Sequence, residues 1–333
     1  MAFWKKKDGA GSRHTRVFFA TDIHGSERTF RKFINCAKFY KVDHVIMGGD
    51  IMGKFLIPIV HEHDSHYRVT LQGSHYSIGG GEDLKAIKDR IETLGFYHIT
   101  VEEDELHAMQ DDQATIDETF RRLARERIER WIALADERLA GTGAKWYVTG
   151  GNDDPPEVLE MFEQATSEHV VSCEEQIVMI DDIYPMANCG YSNPTPWDTP
   201  REVEEAVLEE ILEKAVQDVD DYTSAIFNLH VPPYDCTLDD CPKLDWSTDP
   251  PSPIVVAGVP QSAPAGSTSV RKIIEKYQPL LALTGHIHES RGLVNMGRTT
   301  VINPGSEYGE GIIRGCIITL QPGKVVGYQM TSG

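Results

Sequence analysis

The chain has 333 residues, and its 32 Lys and Arg against 52 Asp and Glu give a formal net charge of −20 at pH 7. With 40% hydrophobic and 25% charged residues it has the composition of a folded globular protein, which excludes a disordered chain, a collagen and a disulfide miniprotein. So acidic a surface repels phosphate backbones and disfavours broad binding to nucleic acid, while a small anionic substrate would need a local positive charge.

The cysteines and the terminus predict the compartment. The first residues carry no apolar segment of signal-peptide length, and no apolar run approaches the roughly 20 residues that a membrane span needs. The 6 cysteines are scattered along the chain, which predicts reduced thiols. We therefore expect a cytoplasmic protein without a membrane partner, with residues 1–14 as a solvated leader.

In the first fifty residues, apolar segments that end in polar loops alternate with a predicted helix. Residues 17–20 and 44–47 are predicted to be buried strands, and Ser26 is predicted to cap a helix between them. Strand, loop, helix and strand in this order indicate an α/β core that carries its working residues at strand ends.

Residues 53–144 interrupt this alternation of strand and helix and are interpreted as a mainly helical insertion that carries a hairpin. The elements predicted for it are the hairpin and two helices, over residues 67–78, 82–94 and 115–141. The apolar stripe of the last helix must be buried, which favours a lid over the substrate and leaves a homo-oligomer interface as the alternative. Residues 61–66, rich in histidine, are expected to be an exposed loop rather than a second metal site.

The core is predicted to occupy residues 15–52 and 145–333. A strand over residues 146–149 is followed by helices that Asp154 and Thr199 are expected to start. Two further strands are expected at residues 225–229 and 280–283. The long stretch between them, residues 232–269, is interpreted as a site loop because it is too long for a passive connection.

The helix expected to begin near Ser267 could present its free amides, together with Arg271, to an anionic group of the substrate. An ordinary capped surface helix is the equal alternative for this segment. Arg271 is the one candidate substrate-binding side chain outside the strand ends.

Polar side chains follow five of the predicted strands. They are Asp22, His24, Asp50, Asn152, His230, His286 and His288. Because the carboxyl ends of strands share one edge in an α/β fold, these side chains are expected to converge there. With one carboxylate shared, they supply four ligands to each of two metal ions, which predicts a dinuclear centre. Residues i and i+2 that have just left a strand face the same side, which is our explanation for Asp22 with His24 and His286 with His288.

The order of these motifs resembles the signature of calcineurin-like metallophosphoesterases. The blocks that match are Asp22-x-His24, Gly49-Asp50, Gly151-Asn152, His230 and Gly285-His286-x-His288. The resemblance implies a four-layer fold, in which a two-sheet β-sandwich is flanked by helices. It also implies that Asp22, His24 and His288 hold one metal ion, that Asn152, His230 and His286 hold the other, and that Asp50 bridges them.

One position departs from the family pattern. The family commonly has a histidine after Gly-Asn, near the leaving group, and this chain has Asp153 followed by Asp154. An ionised carboxylate repels phosphate, so Asp153 is expected to turn away, to hold an indirect contact or to have a raised pKa. The resemblance implies a preference for phosphodiesters over monoesters, or a protein-binding scaffold, since branches of the family without this histidine have one or the other. Asp154 is expected to orient a ligand.

The sequence thus predicts a metal-dependent phosphoesterase acting on a small phosphodiester or nucleotide-like substrate. Asp50, Asn152, Asp153 and Asp154 are its candidate catalytic residues. Nitrogen and oxygen ligands without thiolate suit Mn, Fe or Zn and do not choose among them. A phosphomonoesterase of the same fold and a metal-binding scaffold without activity are the alternatives, and a DNA nuclease is disfavoured by the charge.

Overall fold

The structure is a computed structural model that describes residues 14–245, 247–248 and 251–333. Its helices are α1 Glu27–Tyr40, α2 Glu82–Thr93, α3 Glu103–Gln110, α4 Gln113–Leu139, α5 Pro156–Glu163, α6 Glu205–Val216 and α7 Thr268–Tyr277, with a 3₁₀ turn at Tyr308–Glu310. Its strands are β1 Thr15–Ala20, β2 His44–Met47, β3 Leu56–His63, β4 His66–Leu71, β5 Ser74–Gly79, β6 Tyr97–Glu102, β7 Lys145–Val148, β8 Val170–Ser172, β9 Ile177–Ile180, β10 Tyr184–Cys189, β11 Ile226–Leu229, β12 Asp240–Pro242, β13 Leu244–Asp245, β14 Ser252–Pro253, β15 Val255–Val256, β16 Val259–Pro260, β17 Ser262–Pro264, β18 Leu281–Leu283, β19 Gly292–Met296, β20 Thr299–Asn303, β21 Arg314–Gln321 and β22 Lys324–Ser332.

Two six-stranded sheets form the body of the protein, which confirms the mixed α/β class. The first has the order β22-β21-β1-β2-β7-β8 and the second the order β19-β20-β18-β11-β10-β9. Strands β1, β2 and β7 run parallel to one another in the first sheet, as do β10, β11 and β18 in the second. The carboxyl ends of each parallel set therefore open at one edge, as the motif positions require.

Alternate residues of β1 pack in different cores. Val17 and Phe19 belong to an apolar core that also contains Ile226 and Leu283 of the second sheet. Phe18 joins a second core, together with side chains of α1, α4 and α5. A third core covers the other face of the second sheet with α6 and α7. Because side chains alternate along a strand, a short apolar strand such as β1 can serve two cores at once.

Residues 53–144 contain more strand than the sequence predicts. The expected hairpin is present as β4 and β5, but β3 and β6 flank it in a four-stranded sheet of order β5-β4-β3-β6. Residues 62–66 are exposed as expected, but they do not form a loop before the hairpin, because residues 61–63 end β3 and His63 pairs with His66. Pro58 hid this strand, since proline is normally excluded from the inside of a sheet. It is accommodated because β4 pairs with β3 only from Ile59 onward.

Two helix starts lie away from the predicted residues. Helix α4 begins at Gln113, because the side chain of Asp112 rather than that of Thr115 caps it. Helix α6 begins at Glu205 and not near Thr199. The segment before it is a loop, in which Glu202 accepts hydrogen bonds from the backbone N–H and the hydroxyl of Thr199.

Helix α4 buries its apolar stripe inside the chain. The Trp131 ring stacks on Phe30 of α1 with a centroid distance of 4.0 Å, and its Nε1 donates to Glu27 at 2.6 Å. Buried Arg127, one turn earlier, donates to the carbonyl oxygen of Gly25 at 2.6 Å. The stripe is therefore covered without a second copy of the chain, and the helix is fastened to the loop that carries His24. No helix in the described ranges is long and apolar enough to cross a membrane.

We expect Trp131→Ala to lower the free energy of unfolding by about 3–5 kcal/mol, because it removes a buried aromatic ring and leaves a cavity. Urea unfolding measures this change. Trp197→Ala is the matched control, since Trp197 is 64% exposed. Its removal should cost less than about 0.5 kcal/mol. Equal losses for the two variants would contradict the packing role assigned to Trp131.

Candidate metal centre

The loops after the parallel strands bring all seven predicted ligand side chains together. Asp22, His24 and His288 form one group in which the ligand atoms lie within 4.8 Å of one another. A second group of the same kind contains Asp50, His230 and His286.

Asn152 completes the second group. Its Oδ1 lies 3.0 Å from Nε2 of His230 and 2.8 Å from Nδ1 of His286. Its Nδ2 donates to Thr199 Oγ1 at 2.8 Å, which fixes the amide with its oxygen toward the two imidazoles. The second group thus has an oriented amide oxygen in addition to its carboxylate and imidazoles.

Asp50 lies between the two groups and faces both. Its Oδ2 is 3.4 Å from Nε2 of His24, and its Oδ1 is 3.4 Å from Nε2 of His230. Each carboxylate oxygen therefore points to a different group. This is the placement that a carboxylate bridging two metal ions requires.

The backbone at four of these positions is left-handed rather than extended. The φ angles are 53° at Asp22, 43° at His24, 51° at Asp50 and 64° at His286. Strand alternation therefore does not explain why Asp22 and His24 face the same centre. Tight turns do so, at a cost of about 1–3 kcal/mol for each such residue.

Backbone hydrogen bonds between adjacent loops hold these turns. Asp22 N donates to Gly49 O at 3.0 Å, and His24 N donates to Asp50 O at 2.8 Å. Glycine is required next to the ligands, because a Cβ on Gly151 would lie 2.1 Å from Asp50 Oδ1. A Cβ on Gly285 would lie 2.5 Å from Asp22 Oδ2. The Gly-ligand pairs of the sequence thus reflect close approach between loops.

The donor set fits metal ions. Nε2 of His24 lies 3.2 Å from Nε2 of His288, so two ring nitrogens face each other. Nδ1 of His24 is buried and has no hydrogen-bond partner among the described residues. Such buried imidazoles, beside carboxylate and amide oxygens, have the chemistry of a Zn, Mn or Fe site.

Burial and charge divide the histidines into two kinds. Burial lowers the pKa of His24 to about 3 and that of His286 to about 4, so both rings are neutral. Burial opposes the charge of His230 as well, but Asp50 and Asp22 outweigh it and raise its pKa to about 10. Asp50 is buried, yet His230 and His24 hold its pKa well below the usual value. The carboxylates are thus ionised and ready to bind cations.

Asp154 ties two loops together and does not cap α5 as predicted. Its carboxylate accepts the backbone N–H groups of Ile51, Met52 and Gly151 at 2.8–3.0 Å. Burial and the nearby Asp50 raise the pKa of Asp154 to about 7, while these hydrogen bonds favour its ionised form. Helix α5 begins instead after Pro155, without a side-chain cap.

A buried ion pair that the sequence did not reveal supports the Asn152 loop. Glu174 pairs with Arg201 and accepts the Gly150 N–H at 2.8 Å and the Thr149 hydroxyl at 2.5 Å. Arg201 also donates to Gly151 O at 3.3 Å. Residues so far apart in the sequence show no local pattern, so only the fold brings them together.

Lys54 is a further residue that sequence reasoning missed. Its Nζ lies 2.7 Å from Oδ2 of Asp153, and both side chains line a cavity of about 350 Å³ with Asp50, Asn152 and His288. Burial opposes the charge of Lys54, but Asp153 raises its pKa. Burial and Asp50 raise the pKa of Asp153.

Asp153 also approaches the metal groups. Its Oδ2 is 3.5 Å from Nδ1 of His24, and with His24 and Asp50 it forms a third potential ligand group. The Tyr308 ring, another missed feature of the cavity, lies 4.6 Å from the His24 ring.

Arg271 is not brought to this cavity. Its guanidinium donates to the carbonyl oxygens of Tyr234 and Asp235 at 2.8 and 2.9 Å. The first amides of α7 are also engaged, since Glu205 accepts the N–H groups of Thr268 and Ser269. The geometry of this helix is therefore that of the alternative, an ordinary capped helix.

Comparison with known proteins gives a fold but no family. No family model matches the chain. It is 31% identical over 156 residues to the uncharacterized protein MJ1162 of Methanocaldococcus jannaschii, a match that covers 46% of this chain and 61% of that protein, less than two thirds of its length.

Solved structures extend the comparison. One crystal structure aligns over 96% of this chain and 99% of its own at 14% identity with a TM-score of 0.56, so the two share a fold. A dimetal phosphatase from Danio rerio aligns over 96% of this chain and 98% of its own, with 9% identity and a TM-score of 0.39.

We expect Gly151→Ala to weaken metal binding, because the new Cβ would meet Asp50 Oδ1 at 2.1 Å and displace that carboxylate. Gly327→Ala is the control, since a Cβ there meets nothing within 4 Å. Titration calorimetry with Mn²⁺ and elemental analysis of the loaded protein provide the measurement. Equal metal content and affinity in the two variants would rule out this steric role.

Proposed function

We propose that this protein is a dinuclear metal-dependent phosphoesterase that favours phosphodiesters. Residues 15–52 and 145–333 would form the four-layer catalytic core, with residues 53–144 inserted. The placement of Asp50 carries the proposal, because its two carboxylate oxygens face His24 and His230, one in each ligand group.

Each ion would have three ligands of its own, and the two ions would share a fourth. Asp22, His24 and His288 would hold the first, Asn152, His230 and His286 the second, and Asp50 both. When bound, such a pair of ions activates water as a nucleophile and neutralises charge on phosphoryl oxygens. Mn, Fe and Zn all suit this mixture of nitrogen and oxygen ligands.

Lys54 would supply the positive charge that an anionic substrate needs. Its side chain lines the cavity and is 40% exposed, so it would reach a phosphoryl oxygen while it pairs with Asp153. This pairing also answers the objection that a carboxylate beside phosphate is repulsive, since the ammonium offsets the charge of Asp153. Asp153, or the ammonium that it holds, would then take the place of the histidine that the metallophosphoesterase pattern has here.

The residue at position 153 is the reason to favour a diester over a monoester. Asp153 lines the cavity and stands where the metallophosphoesterase pattern has a histidine near the leaving group. Some branches of that family without this histidine favour phosphodiesters. Asn152, whose amide is fixed by Thr199, would orient the substrate relative to the ligands.

We expect the Mn²⁺-loaded protein to hydrolyse bis-p-nitrophenyl phosphate faster than p-nitrophenyl phosphate, measured by release of p-nitrophenolate. Asp50→Asn should abolish turnover, while Asp104→Asn on exposed α3 should leave it unchanged. Absence of turnover with Mn²⁺, Fe²⁺ and Zn²⁺ would exclude the enzyme and favour a metal-binding scaffold. Faster hydrolysis of the monoester would favour the phosphomonoesterase.

We expect Lys54→Ala to lower kcat/KM for the diester by about 10–100-fold, the effect of losing one charge-assisted hydrogen bond. Metal content should not change, and Lys54→Arg should recover part of the loss. Lys85→Ala on exposed α2 is the control.

Asp153→Ala should lower turnover by more than its effect on metal content explains. An unchanged rate in either site variant would remove that residue from the proposed mechanism.

A further inference from the structure

A second cavity, of about 200 Å³, lies next to the metal cavity. The two share part of their lining, including Thr195, Trp197, Cys241 and His286. A group bound at the metal centre would therefore lie beside the second cavity. We call this cavity the annex and define it by Pro194, Pro196, Trp197, Pro242, Leu244 and Ala263.

Two loops with no assigned role build the annex. One is the segment between β10 and α6, which contributes residues 194–197. The other is the long stretch predicted as a site loop, residues 232–269, in which β12 pairs with β17. The pairing of Cys241 with Ala263 places residues of both strands at the annex. The loop that the sequence marks as too long to be passive thus reaches the metal centre.

The annex walls are largely apolar, because most of their polar groups other than Lys243 are used elsewhere. Glu202 accepts the Thr195 N–H at 2.7 Å and the Thr195 hydroxyl at 2.5 Å. It also accepts the Thr199 N–H at 3.1 Å. Main-chain groups of β12 and β17 pair with each other. Prolines, alanines and the Trp197 ring therefore dominate what a ligand would meet, and a polar group placed there away from Lys243 would lose its hydration without compensation.

Shape adds a second restriction. Trp197 is 64% exposed and presents aromatic surface at the junction of the two cavities. Flat rings gain from stacking on such a surface beyond the area that they bury. A volume of about 200 Å³ admits one ring system of the size of an aryl group or a nucleobase and excludes a long chain of nucleotides.

We propose that the annex binds the organic ester group of the substrate and that this group is a flat, largely apolar ring system. The inference rests on the proposed phosphoesterase function and specifies its substrate class. The phosphoryl group would lie at the metal ligands and Lys54, and the ring would lie against Trp197 and the prolines. A sugar or a short alkyl ester would leave the annex unused.

Binding, rather than turnover, tests this directly. Phenylphosphonate and methylphosphonate carry the same anionic group and differ in the ring, so their affinities for the Mn²⁺-loaded protein isolate the annex. Titration calorimetry should show phenylphosphonate binding at least about tenfold more tightly, from the apolar area that the ring buries. Equal affinities, or no binding of phenylphosphonate at millimolar concentration, would overturn the proposal.

Two variants locate the ring in the annex. Trp197→Ala removes the aromatic surface, and Ala263→Leu fills the cavity from β17. Both should reduce the preference for phenylphosphonate to less than about threefold and leave methylphosphonate affinity and metal content unchanged. Phe39→Ala is the control, since Phe39 is a 77% exposed aromatic residue on α1. A preference that survives both annex variants would place the ring elsewhere and refute the assignment.

Failure of the annex and failure of the hydrolase proposal give different results. If the protein binds phenylphosphonate selectively through Trp197 but hydrolyses no ester, the annex stands and the enzymatic proposal fails. If it hydrolyses methyl and phenyl p-nitrophenyl phosphate with equal kcat/KM and binds the two phosphonates equally, the hydrolase stands and the annex is refuted.

Discussion

The buried carboxylate of Asp50 is the group on which the centre depends. A carboxylate in the protein interior is costly unless opposite charges and hydrogen bonds compensate it. Here His24 and His230 face its two oxygens, and the backbone N–H of Asp153 donates to Oδ1 at 3.0 Å. Asp22 has the same need, which the backbone N–H of His286 helps to meet. The two ligand groups can share a carboxylate because both sheets direct their strand ends to it.

Support for this centre comes from residues that do not face the cavity. Asp154 fastens the loop after β2 to the loop after β7, and the Glu174–Arg201 pair holds the backbone of Gly150 and Gly151 from behind. On the other side, Arg127 of α4 anchors the loop that carries His24. Left-handed turns at the ligands are strained, so contacts of this kind must determine them. The segment 53–144 thus contributes rigidity to the centre as well as Lys54.

The net charge of −20 disfavours the binding of long nucleic acids but not that of a small anionic ester. Asp22 and Asp50 belong to the ligand groups, where bound cations would reverse the local charge. Lys54 adds a positive charge at the mouth of the same cavity. A long nucleic acid would still meet the acidic surface, whereas a small ester would meet only the cavity. The proposed annex agrees with this, because it has room for one ring.

The sequence by itself determined which residue types are available for the centre and where five of the core strands lie along the chain. Apolar runs ending in Asp, Asn and His identified β1, β2, β7, β11 and β18, because a buried strand and the polar loop after it are both local patterns. The sequence also shows a glycine directly before each of Asp50, Asn152 and His286, because this too is a local pattern. Strand β3 was not predicted, since Pro58 argues against a strand until its neighbours are known.

Only the tertiary structure decided what depends on distant partners. It showed that Asp50 faces both ligand groups, that Lys54 pairs with Asp153, and that Asp154 binds backbone amides of another loop instead of capping a helix. It also showed that Arg271 donates to the backbone carbonyl of Tyr234 and that two loops form a largely apolar cavity. A side chain reveals its chemical type in the sequence, but its partner is fixed by packing across hundreds of residues, which no local pattern records.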